Sequence, residues 1–206
     1  MSDANTKLMQ RIRDTYSALL IHVCRDTGLT PAFLAALIAN ETGGDDSEKR
    51  FERNVLVSLW EVLLERTPAY GSIRRPELLS IVDPSIADAS RRIPADLPTS
   101  LQRLDGLATS WGLTQIMGYN TYPLWEHAGW SAIERIKSAP GNLEFATVLL
   151  LAFAKRFQLD PARDFPPLFA CWNCGRPDPA KTFDPHYCAN GVERMQIYST
   201  LDENQK

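Results

Sequence analysis

Glu41 closes a largely apolar stretch, Pro31 to Asn40, and leads directly into Thr42-Gly43-Gly44. It is the one ionisable residue of that stretch. A carboxylic acid so placed sits half in a hydrophobic wall, where burial disfavours its charged form; the negative end of a helix dipole acts in the same direction. A glutamate with a raised pKa can donate a proton near neutral pH, the chemistry of a general acid. The competing reading is a helix-terminal glutamate that turns its head to water, the ordinary fate of a carboxylate.

Other residues could serve a site built around such an acid. Gln115 and Asn173 are amides, able to donate and accept hydrogen bonds without titrating; either could meet a polar ligand or bond a buried backbone group. Trp111, Tyr119 and Trp172 offer flat apolar faces with a polar edge, suited to stacking on a flat ligand face or to filling a core. His186 and Tyr187 stand near the end of a Cys-bearing segment, about 174–190. Cys171, Cys174 and Cys188, with His186, admit a zinc site, a Cys174–Cys188 disulfide or reduced thiols; Cys24 stands alone. No metal or other cofactor is expected.

These residues need positioning, and the pattern that supplies it is helical. Leu8, Met9, Ile12, Tyr16, Leu19, Leu20 and Val23 recur at helical spacing and predict an amphipathic helix over 5–27. Thr30 is a good N-cap, Pro31 suits the first turn, and Gly43 or Gly44 can close the helix 31–42 in the left-handed conformation. Its Phe33, Leu34, Leu37, Ile38 and Glu41 predict a core-facing stripe. A third helix is expected over Phe51–Arg66. Prolines 68, 76, 84, 94 and 98 break the pattern over 67–105, predicting an irregular lobe with one short helix near 84–92. Asn142 is expected to cap the most apolar helix, 142–158, read as the central buried one, and short helical pieces follow at Leu168–Trp172 and Gly191–Leu201. No alternating run is long enough to require more than a small hairpin.

A chain of 206 residues with 44% hydrophobic and 23% charged residues can fill a sizeable core, and one mainly α domain over 1–206 is expected. The net charge of -3 and the absence of a basic stripe argue against a nucleic-acid partner. The longest apolar run, Ala146–Ala154, is too short to span a bilayer, and Met1–Gln10 lacks the hydrophobic core of a secretory signal. A monomer is expected, synthesised in the cytoplasm, with export, if it happens, by another route.

Three separated segments together resemble the lysozyme-like superfamily, in particular lytic transglycosylases, goose-type lysozymes and phage-type N-acetylmuramidases. Ala39-Asn40-Glu41-Thr42-Gly43-Gly44 resembles the helix end that carries the catalytic acid. Ser110-Trp111-Gly112-Leu113-Thr114-Gln115-Ile116-Met117-Gly118 is similar to the Gly-Leu-x-Gln-Ile-Met segment lining the sugar cleft. Ala170-Cys171-Trp172-Asn173-Cys174-Gly175 is similar to the Ala-Tyr-Asn-x-Gly motif, with Trp172 where tyrosine is usual and Cys174 in place of a small residue. The likeness covers residues 29–199. It implies a lysozyme-like fold and a peptidoglycan-cleaving activity at the N-acetylmuramic acid to N-acetylglucosamine linkage, with Glu41 as acid. It also implies a substrate cleft of Ser110, Gln115, Ile116, Met117, Tyr119, Trp172, Asn173 and Tyr187. Glu52 is the best second carboxylate because Arg50-Phe51-Glu52-Arg53 resembles a muramidase segment; its alternative is an ion pair with Arg50 or Arg53. A chitin-type substrate or a non-catalytic glycan-binding role remain the other readings.

Overall fold

The computed structural model describes residues 3–71, 73–82, 100–124 and 129–203. Among them the chain is mainly helical: α1 (Asp3–Cys24), α2 (Pro31–Glu41), α3 (Arg53–Leu63), α4 (Arg75–Val82), α5 (Ser100–Leu107), α6 (Gly129–Ile136), α7 (Ala139–Phe157), α8 (Phe165–Cys174) and α9 (Tyr187–Glu203). Strands β1 (Lys49–Phe51), β4 (Thr109–Trp111) and β5 (Ile116–Met117) form an antiparallel sheet in the order β1-β4-β5. Strands β2 (Ala69–Tyr70) and β3 (Ile73–Arg74) form a separate hairpin. No described helix is long and apolar enough to cross a membrane.

The cap of α2 forms as its sequence dictates. Thr30 accepts a hydrogen bond from Phe33 N at 3.1 Å, and Pro31 fills the first turn, where its missing N–H costs nothing. At the other end Gly43 and Gly44 take φ of 61° and 92°. Ala32 through Ala39 are all buried, so α2 is covered on every side rather than along one stripe. It packs chiefly against α1 and α9, inside a cluster that also draws Phe169 from α8 and Leu150 from α7. The central buried helix is therefore α2. The expected candidate, α7, exposes Val148 and its Lys155 and Arg156, and buries mainly its first half.

A second apolar cluster joins Leu59 and Val62 of α3, Ile73, Leu78 and Ile81 of the α4 region, and Leu104 and Leu107 of α5. A third, small one holds Ile116, Ile136, Phe145 and Ala146. The β4–β5 hairpin reaches all three: Leu113 lies in the first, Trp111 packs on the second and third, and Ile116 belongs to the third. This short hairpin is thus the joint about which the helices are arranged.

Several expected elements differ. Phe51 lies in β1 opposite Thr109, and the helix expected from it starts only at Arg53. The supposedly irregular 67–105 segment contains the β2–β3 hairpin, α4 and the start of α5; the helix expected near 84–92 lies outside the described residues. The last helix begins at Tyr187 instead of Gly191. A three-stranded sheet stands where at most a hairpin was expected.

Asn142 is not the N-cap of α7. Ser138 is the N-cap of α7, accepting from Gly141 N, and Asn142 is fully buried one turn further on. Its Oδ1 accepts from Thr114 N (3.0 Å) and Thr114 Oγ1 (2.8 Å), while Nδ2 donates to Trp111 O (2.7 Å) and Ile136 O (2.9 Å). All four hydrogen-bonding positions of the amide are satisfied, which is what its burial requires. Gly112 lies against it in the left-handed region (φ 67°), where an added Cβ would come within 2.6 Å of Asn142 Nδ2.

Candidate active site

Glu41 occupies the last position of α2, half-buried, with its backbone fixed by the turn that follows. Thr42 N donates to Ile38 O, and Thr42 Oγ1 donates across to Leu113 O at 3.0 Å, tying the helix end to the tip of the β4–β5 hairpin. Arg11 Nη2 and Tyr16 of α1 hold the Gly43 and Gly44 carbonyls. The acid is therefore presented by a rigid helix end braced from two directions.

Its carboxylate accepts a short hydrogen bond from the phenol of Tyr187, the buried first residue of α9. Behind this contact, Asn40 Nδ2 donates to Tyr187 O at 3.0 Å and Arg194 Nη1 donates to Asn40 Oδ1 at 2.5 Å, so α9 and the end of α2 are locked together. Burial pushes the Glu41 carboxyl up from 4.5 to about 7, opposed by the Tyr187 hydrogen bond and, less strongly, by the charge of Arg50. Tyr187 in turn is held well above the ordinary tyrosine value by burial and by the neighbouring carboxylate, so it remains a hydrogen-bond donor. Around neutral pH Glu41 is thus substantially protonated.

The Tyr187 contact carries its own expected result. Tyr187→Phe removes one of the two influences that hold the Glu41 carboxyl down, so that carboxyl titrates at a higher pH than in the parent. Carboxyl-carbon NMR of Glu41 reads the change directly; an unmoved or lowered titration would show that the phenol does not stabilise the ionised form.

The neighbouring hairpin is held by the polar residues assigned from sequence to substrate. Gly112 N donates to Glu48 O at 2.9 Å, and Gln115 Nε2 donates to Gly112 O (3.1 Å) and Glu48 O (3.3 Å). Ser110 Oγ lies 3.2 Å from both Arg50 O and Gln115 Oε1 and shares its single proton between them. Gln115 has a left-handed backbone (φ 53°), unfavourable for a residue with a Cβ and sustained here by these side-chain bonds. Ser110 is buried and the Gln115 amide is committed to backbone, so both build the site wall rather than present free groups to a ligand.

Gln115, Ile116, Met117 and Trp172 do come together, with Asn120, Leu149 and Phe153, around a pocket of about 110 Å³. Ile116 is itself buried, and Trp172 Nε1 donates to Thr114 O at 3.1 Å. Glu41 is not among the residues lining this pocket. Tyr119 is not among the residues lining this pocket: its ring meets Tyr70 edge-on at 5.1 Å, burial pushes its phenol up to about 12, and it packs, partly buried, against the second core cluster. Asn173 Oδ1 accepts from Phe183 N at 2.8 Å and anchors the Cys-bearing insertion.

Glu52 is claimed by Arg50. Arg50 Nε lies 2.5 Å from Glu52 Oε1, and the groups that act on the Glu41 carboxyl are Tyr187 and Arg50. Of the two readings of Glu52, the ion pair with Arg50 is the one that forms. The four cysteine thiols are free. Cys188 Sγ lies 3.4 Å from Pro166 O and Cys174 Sγ 3.7 Å from Arg176 O, so each thiol meets a backbone carbonyl and the Cys174–Cys188 bridge does not form. Among the described residues no group of three His, Cys, Asp or Glu is placed to hold a metal ion.

Sequence reasoning missed Asn142, Thr114, Asn40 and Arg194. The one available signal was an amide in the most apolar helix, and its partners lie far away in sequence. The chain matches no protein-family model, no curated protein and no solved structure.

Proposed function

We propose that this protein is a glycosidase of lysozyme-like fold that cleaves peptidoglycan strands, as a muramidase or lytic transglycosylase, at the β-1,4 linkage between N-acetylmuramic acid and N-acetylglucosamine. The observation that carries the reading is Glu41: a carboxylic acid on a rigid helix end, kept protonated to about pH 7 by burial and oriented by Tyr187. Cleavage of a glycosidic bond needs a proton delivered to a poor leaving-group oxygen while positive charge develops at the sugar carbon. Glu41 gives its proton to that oxygen as the carbon–oxygen bond breaks. With Glu52 engaged by Arg50, the substrate's own acetamido oxygen closes on the sugar carbon as the leaving oxygen departs, and that new bond breaks when the next oxygen attacks. Glu41, now ionised, takes a proton back from the attacking water, which gives hydrolysis, or from the sugar's own hydroxyl, which gives an anhydro product.

Mass analysis of muropeptides after digestion by the whole chain tests this. New glycan ends are expected, either reducing N-acetylmuramic acid or its anhydro form, and release of reducing ends from chitin oligomers is expected to be slower. Intact glycan chains after prolonged digestion at pH 5–7 would overturn the reading.

A further inference from the structure

The hairpin fixes more than the acid. Thr42, next to Glu41, is bonded to Leu113; Glu48 is bonded to Gly112 and Gln115; and Arg50 pairs in register with Ser110. Glu41 and Arg50 are therefore held to one short, rigid hairpin, and the Arg50 guanidinium lies near enough for its charge to act on the Glu41 carboxyl. Its side chain is 72% exposed. A guanidinium has two faces for binding anions in a planar fork, and Glu52 has taken one of them through Nε. Among the described residues neither Nη group of Arg50 has a protein partner. The effect of Glu52 is to fix the orientation of the guanidinium while leaving its Nη1–Nη2 edge open to solvent.

We propose that Arg50 is a specificity-determining residue: its free Nη1–Nη2 edge holds a carboxylate of the glycan substrate, so the site takes a carboxylate-bearing strand in preference to a neutral one, and Glu52 is the residue that positions it. This rests on the glycan-cleaving reading of Glu41 and deepens it by naming what distinguishes the substrate. A planar, bidentate contact suits a carboxylate and is wasted on a neutral N-acetylglucosamine polymer, so discrimination arises as a difference between two affinities. The carboxylate has two possible sources on peptidoglycan: the lactyl group of muramic acid, free where the peptide has been removed, and the acidic residues of the peptide stem.

The test compares initial cleavage rates of the parent, Arg50→Ala and Arg50→Lys on four strands: peptide-bearing peptidoglycan, the same glycan stripped of peptide, that stripped glycan with its carboxyls reduced to alcohols, and a chitin oligomer. Arg50→Ala is expected to lose about 10- to 100-fold more activity on a carboxylate-bearing strand than on the two neutral ones, the range of a charge-assisted hydrogen bond. Arg50→Lys, which keeps the charge and loses the fork, should fall between. A change common to all four strands reports only the loss of positive charge from beside Glu41, and the ratio between strands reports recognition. A selective loss confined to the stripped glycan identifies the lactyl carboxylate, and one confined to the peptide-bearing strand identifies the stem; both support the proposal. Equal losses on acidic and neutral strands overturn it while leaving the Glu41 reading in place. If the parent cleaves none of the four, that reading fails, and affinities for the same strands decide the role of Arg50. A preference for carboxylate that Arg50→Ala abolishes sustains the anion contact, and no preference, or no binding, overturns it.

Discussion

Glu41→Gln lowers the rate of glycan cleavage by about 10²- to 10⁴-fold, the contribution of a positioned general acid, while leaving strand binding within a few-fold of the parent. The substitution keeps the shape of the side chain and an oxygen able to accept the Tyr187 hydrogen bond, so the turn through Thr42 and the brace from α9 remain. What it removes is the transferable proton. Glutamine cannot deliver that proton to the leaving oxygen at any pH, so the loss appears in kcat rather than KM. Product release measured on purified peptidoglycan, with affinity measured on the same strands, separates the two. Activity within tenfold of the parent would remove Glu41 from the chemistry. In the parent, the same argument places the alkaline limb of activity near pH 7, because the carboxyl that burial pushes up to about 7 must be protonated to act.

How far the sequence foretold this site depends on how local each determinant is. The start and end of α2 were legible because Thr30, Pro31, Gly43 and Gly44 act on their own backbone neighbours. Pro76 misled in the opposite sense: it reads as a breaker, yet it sits in the first turn of α4, where a proline is tolerated. Phe51 reads as the first residue of a helix, but its partner Thr109 draws it into a strand of only three residues, a pairing with no local signal. Asn142 and Ser138 are both good caps by composition, and Ser138 prevails because Pro140 starts the helix one turn earlier. Gln115 and Ser110, expected at a ligand, bond each other and nearby backbone carbonyls. A side-chain amide cannot reveal whether it will face a sugar or satisfy the carbonyls of Gly112 and Glu48 until the hairpin is folded. Tyr187 meets Glu41 across 146 positions of sequence, and only the packing of α9 on α2 brings them together.

The same burial that readies Glu41 as an acid makes it a liability for the fold, and Glu41→Gln exposes the conflict. In the unfolded chain the carboxyl ionises near its ordinary 4.5; in the folded chain it holds its proton to about 7. Between those values the folded state binds a proton that the unfolded state does not, so stability falls as pH rises. The contribution of the neutral acid is complete below about 4.5, declines through the interval and is gone above about 7. At about 1.4 kcal/mol per pH unit, the folded parent above pH 7 carries a deficit of roughly 3 kcal/mol. Glutamine has no charge to desolvate and escapes it. Glu41→Gln is therefore expected to match the parent in stability at pH 4 and to exceed it by roughly 3 kcal/mol at pH 8, a rise in Tm on the order of 5–10 °C for a chain of this size. Urea unfolding of both proteins at the two pH values measures the difference. A gap that is the same at pH 4 and pH 8 would mean that Glu41 is not held neutral by the fold. A gap that opens with pH would tie the loss of catalysis and the gain in stability to one proton, the stability sacrificed by a site that keeps a carboxylic acid out of water.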